Sequence, residues 1–118
     1  MKHTSTLLVG REDTARSLGS GDMEVLATPR MAALMENAAM LAVADELPEG
    51  YTTVGGHIET SHLRPSPVGA EVCATATLDK AEGRKLFFRV EARQGDTLIG
   101  EGTHLRFVVE RAKFLSRL

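Results

Sequence analysis

Between Pro29 and Val43 apolar side chains nearly fill the chain, with only Arg30, Glu36 and Asn37 interrupting. A run of this kind predicts one helix, apolar almost all round, of about 17 residues and roughly 25 Å. Thr28 is placed to cap it through its hydroxyl, Pro29 to occupy the first helical position, and the polar stretch Asp45 to Gly50 to end it. After Gly50 the period changes from helical to alternating. Thr53 to Leu63 places Val54, Ile58 and Thr60 on one face and His57 and Glu59 on the other, and Pro65, Pro67 and Gly69 then form a turn. Ala70, Val72, Ala74, Ala76 and Leu78 line the next strand's inner face. A turn at Glu82-Gly83-Arg84 leads to Leu86, Phe88, Val90 and Ala92, and a turn at Gln94-Gly95-Asp96 leads to a last strand over residues 97–109.

A weaker strand near Thr4 to Val9 precedes the helix, separated from it by the polar segment Arg11 to Gly21. The order is therefore strand, loop, helix and four strands joined as antiparallel hairpins. An apolar helix cannot bury itself, and a meander with one apolar face needs a cover. The economical α+β solution is an antiparallel sheet wrapped around one long central helix, although an α+β sandwich of another topology fits the same pattern. With 118 residues the chain makes one domain, spanning residues 1–118. It has no Trp, one Tyr and four Phe, so the core must come from aliphatic and small side chains.

Fourteen Lys and Arg against sixteen Asp and Glu leave a net charge of −2, too balanced for a protein that grips a nucleic-acid backbone. The halves differ: residues 1–59 hold four basic and nine acidic side chains, residues 60–118 ten and seven. The second half could offer a cationic rim to a phosphorylated ligand, although a mixed solvated surface explains the same count. The single Cys73 excludes an intrachain disulfide framework and zinc spacing, which suits a reducing cytoplasm. No signal-like or membrane-spanning apolar stretch is visible, so membrane partners are not expected.

Glu36 is the most informative residue. A carboxylate inside an apolar helix must reach solvent, find a donor or take a raised pKa. Arg30, Glu36 and Asn37 fall within about a third of the helix circumference, which reads first as a narrow solvent stripe. The competing reading is a general base or nucleophile in a partly apolar cleft. Thr28 starts the same helix, whose free amides suit an anion or a developing oxyanion. His62 ends a strand. It has the opposite facing parity to His57, so the two do not pair on a metal, and adding Cys73 or His104 would complete a metal site only by coincidence of folding. Gly19-Ser20-Gly21 lacks a dinucleotide fingerprint, and no serine sits in a nucleophile elbow.

Five segments carry a resemblance: Thr14-Ala15 with Leu18-Gly19-Ser20-Gly21; Val25 to Pro29 with Leu34-Met35-Glu36; Val54-Gly55 with His62; Thr77-Leu78 with Gly83-Arg84; and Ile99-Gly100-x-Gly102-Thr103-His104-x-Arg106. In this order the chain resembles the hot-dog thioesterases related to fluoroacetyl-CoA thioesterase, from about residue 8 to Phe114. The resemblance implies a hot-dog fold and hydrolysis of an acyl-CoA thioester by a homodimer, without metal or other cofactor; whether two dimers pair into a tetramer stays open. It assigns Thr28, Glu36 and His62 to the catalytic set and Gly55 to the substrate carbonyl, with Thr28 orienting Glu36 through its hydroxyl. The family's fluoroacetyl specialist has an aromatic-rich lid, whereas Arg11 to Met23 holds no aromatic residue, so that specificity is not carried over. Arg64, Arg84 and Arg106 are candidates for nucleotide phosphates, each equally readable as an exposed strand or turn residue. Two rival functions remain: a hydratase or dehydratase, and a module that binds an acyl-CoA or another small ligand without turnover. The acyl group, and CoA versus acyl carrier protein as the thiol, stay open.

Overall fold

The computed structural model describes residues 1–118. The elements are β1 (Lys2–Leu8), a short 3-10 turn (Arg11–Asp13), α1 (Ala15–Leu18), α2 (Thr28–Ala44), β2 (Tyr51–His62), β3 (Glu71–Glu82), β4 (Lys85–Gln94), β5 (Thr97–Glu110) and α3 (Arg111–Leu115). The five strands and α2 follow the expected order, whereas the 3-10 turn and α1 in the expected loop, and α3 after the last strand, were not expected. The strands form one sheet in the order β1-β3-β4-β5-β2, every pair antiparallel. The tight turns use Gly83 and Gly95 at positive φ, the backbone region glycine enters without steric cost.

The inner face curls over α2. Met31, Leu34, Met35, Ala38, Ala39 and Val43 meet Val72, Ala74, Ala76, Leu86, Phe88, Val90, Ala92 and Ile99 in one buried cluster. Alanines on both surfaces let backbone approach backbone, so Phe88 is the only aromatic ring the core requires. Each large side chain buried here stabilises the fold by about 1.5–3 kcal/mol.

Three local expectations are corrected. Ala27, not Thr28, is the N-cap of α2. The Ala27 amide donates to the Asp13 carbonyl, and its own carbonyl accepts from the Arg30 and Met31 amides. The helix consequently begins one residue early, and the Thr28 hydroxyl is left for another partner. The helix, apolar almost all round in the sequence, is also not buried all round: Ala33, Asn37 and Leu41 form an exposed stripe. Finally, Val54 does not share a face with Ile58 and Thr60. A bulge between Gly55 and His57 inserts a residue. Thr53 and Gly55 therefore lie on the same inward face as Ile58 and Thr60.

Candidate active site

Glu36 leaves α2 toward the bulge in β2. A Cβ built on Gly55 would lie 2.8 Å from Glu36 Oε2, 3.5 Å from His104 Cε1 and 3.6 Å from Arg106 Nη1. Only a glycine leaves space here for the carboxylate, which is 41% exposed. Arg106 Nη1 is 3.9 Å from Glu36 Oε2. The guanidinium itself is buried: Nε donates to Thr53 Oγ1 at 2.8 Å, Nη2 donates to the Thr53 carbonyl at 3.0 Å, and Nη1 lies 3.1 Å from His104 Nε2. Burial lowers the Arg106 pKa, and the charge of Glu36 opposes that shift. The group stays cationic at any physiological pH. His104 completes the cluster with Nδ1 2.7 Å from the His57 carbonyl. Its pKa is lowered, mainly by burial, and the hydrogen bond to the His57 backbone acts in the other direction.

A second cluster lies at the N-terminus of α2. Thr28 Oγ1 and His62 Nδ1 are 2.8 Å apart. His62 Nε2 is buried without a hydrogen-bond partner. Burial also lowers the His62 pKa, partly offset by the Arg64 backbone, so the ring is neutral at pH 7. The pair borders an open cavity of about 320 Å³ shared with Ala15, Ser20, Val25 and Leu63. Between the two clusters the Thr60 hydroxyl donates to Met35 Sδ at 3.4 Å, tying β2 to α2.

The residues singled out in the sequence therefore form two groups. Gly55 meets Glu36, and Thr28 meets His62. The Thr28 hydroxyl is bonded to the histidine rather than to Glu36, which corrects the expected orienting bond. Glu36 lies eight helical positions after Thr28, about 12 Å along the axis. Arg30, Glu36 and Asn37 do not form a common solvent stripe: Arg30 pairs with Asp13 at 2.9 Å, and Asn37 Oδ1 accepts from the Ser5 hydroxyl at 2.7 Å. Arg106 is no phosphate contact, since its side chain is 8% exposed and used internally, whereas Arg64 and Arg84 are exposed. The sequence reading missed the joint role of Thr53, His104 and Arg106. The available signal was the i, i+2 spacing of His104 and Arg106, which puts two polar groups on the inward face of one strand.

A family model described as fluoroacetyl-CoA-specific thioesterase matches residues 9–112. The fluoroacetyl-CoA thioesterase of Streptantibioticus cattleyicolor is 41% identical over 95 residues, covering 80% of this chain and 68% of that protein. The solved structure of the fluoroacetyl-CoA thioesterase FlK superposes with a TM-score of 0.92 at 36% identity, covering 99% of this chain and 91% of that one. A Thermus thermophilus thioesterase superfamily member superposes with a TM-score of 0.91 at 29% identity, covering 99% and 87%. The curled five-stranded sheet around α2 is thus the hot-dog fold, and the chain belongs to the fluoroacetyl-CoA-specific thioesterase family.

Proposed function

We propose that this protein hydrolyses an acyl-CoA thioester to the free acid and CoA, with Glu36, Thr28 and His62 as its reacting groups. The observation that carries the reading is the Glu36 carboxylate, lodged against the glycine backbone of β2 in a chain of this family. Glu36 takes a proton from a water as that water's oxygen attacks the thioester carbonyl. The tetrahedral oxyanion collapses, the carbon–sulfur bond breaks, the His62 Nε2–H hydrogen-bonds the departing thiolate, and the proton held on Glu36 passes to that sulfur, which restores the carboxylate. Thr28 donates its hydroxyl hydrogen to His62 Nδ1, which keeps the ring proton on Nε2. The chemistry is that of side chains and water, with no metal or cofactor.

The active form in this reading is a homodimer. β2 is an edge strand, and Gly55, Gly56 and His57 are exposed along it. An antiparallel pairing of two β2 edges sets the Gly55 half of one strand beside the His62 half of the other. The two clusters, about 12 Å apart along one helix, would then meet across the pair. A fluoroacetyl substrate is not proposed, since no aromatic residue occurs between Arg11 and Met23.

The reading is tested with a thiol reagent and a panel of acetyl-, butyryl- and octanoyl-CoA. Catalytic release of CoA from at least one ester supports it; saturable binding without release identifies a binding module instead. Gly55→Ala provides a finer check. The added methyl meets the movable tip of Glu36 rather than backbone, so thermal stability should hardly change. The displaced carboxylate should lower kcat by about 10- to 100-fold. A variant as active as the wild type would show that this contact does not matter.

A further inference from the structure

We infer that His104 is a positioning residue: through a fixed Nδ1–H tautomer it aims Arg106 Nη1 at the Glu36 carboxylate. The inference rests on Glu36 being the reacting carboxylate. His104 is 3% exposed and sits on β5, paired with Ile58 of β2 next to the bulge. Its two nitrogens have partners of opposite kinds. The His57 carbonyl is only an acceptor, so Nδ1 at 2.7 Å must carry the hydrogen. The Arg106 guanidinium is only a donor, so Nε2 at 3.1 Å must offer its lone pair. One neutral tautomer satisfies both, and the protonated ring satisfies only the first.

The consequence reaches Glu36 through a single nitrogen. Arg106 Nη1 carries two hydrogens in a rigid plane. Thr53 holds the opposite edge of that plane by both Nε and Nη2. When His104 Nε2 accepts one Nη1 hydrogen, the other projects on the side of Glu36 Oε2, 3.9 Å away. The carbonyl that fixes the His104 tautomer belongs to His57, the residue that closes the bulge after Gly55 and Gly56. The bulge therefore performs two tasks. It opens the space that the carboxylate occupies, and it presents the carbonyl that orients the ring behind it.

Two substitutions separate the two nitrogens. Gln at position 104 places an acceptor near Nε2, and Asn places a donor near Nδ1 without reaching Arg106. On the fastest ester of the acetyl-, butyryl- and octanoyl-CoA panel, His104→Asn should lower kcat by about 10- to 100-fold with KM nearly unchanged, and His104→Gln should recover most of it. Combined with Glu36→Gln, His104→Asn should cause no further loss, because both changes act on one carboxylate. Equal damage from Asn and Gln, or an additional loss in the double variant, would overturn the inference while leaving Glu36 catalytic. A Glu36→Gln enzyme of wild-type rate would instead overturn the catalytic reading. The wild-type protein supplies a check that needs no folded variant: nitrogen-15 imidazole spectra at pH 7 should show His104 protonated on Nδ1 alone, and protonation on Nε2 would contradict the inference.

Discussion

Glu36→Gln should lower kcat/KM for thioester hydrolysis by roughly 100- to 10,000-fold, the usual contribution of a positioned general base. The amide keeps the size of the side chain but cannot take the proton of an attacking water. The carboxylate lies in the opening left by Gly55 and is 41% exposed, so the substitution neither creates a cavity nor buries an unpaired group. Arg106 keeps its two bonds to Thr53 and its contact with His104. The melting temperature should therefore change little, which separates loss of chemistry from loss of fold. An interaction made only in the transition state lowers kcat and kcat/KM together. A rise in KM alone would assign Glu36 to substrate binding.

The second large effect is a gain of activity from two inactive proteins. In the proposed mechanism His62→Ala removes the hydrogen-bond donor to the leaving sulfur, and the variant should be strongly impaired. In the paired arrangement each site takes Glu36 from one subunit and His62 from the other. A heterodimer of Glu36→Gln and His62→Ala subunits then contains one site with both residues intact and one with neither. Random exchange makes half of the dimers mixed, so the activity should return to about a quarter of the wild-type value. Co-expression with two affinity tags isolates the mixed dimer, whose activity per dimer should be about half that of the wild type. No recovery in that dimer would place both residues in one subunit's site.

The architecture was largely legible because its signals are local and periodic. Alternation marked the inner faces of β3 and β4, where Val72, Ala74, Ala76, Leu86, Phe88, Val90 and Ala92 are all buried. The errors came where a distant segment decides the local outcome. The cap of α2 moved to Ala27 because Asp13, fourteen residues away, holds the Ala27 amide. The face of Val54 reversed because the bulge at Gly55 adds one residue to the period. Within the candidate site, the single carboxylate in an apolar helix pointed to Glu36 on elementary grounds. The group behind it was harder to see. Buried Arg106 reads in the sequence as an ordinary charged strand position, and only the fold shows that Thr53 and His104 satisfy it.

The most direct measurement is a single turnover with enzyme in excess of acyl-CoA, following thiol release and ester binding together for the wild type and Glu36→Gln. The account predicts that the wild type converts the bound ester fully to acid and CoA, while the variant binds it with similar affinity and releases almost no thiol. A wild-type protein that binds the ester but releases no thiol, or a variant that releases it at the wild-type rate, would contradict the account.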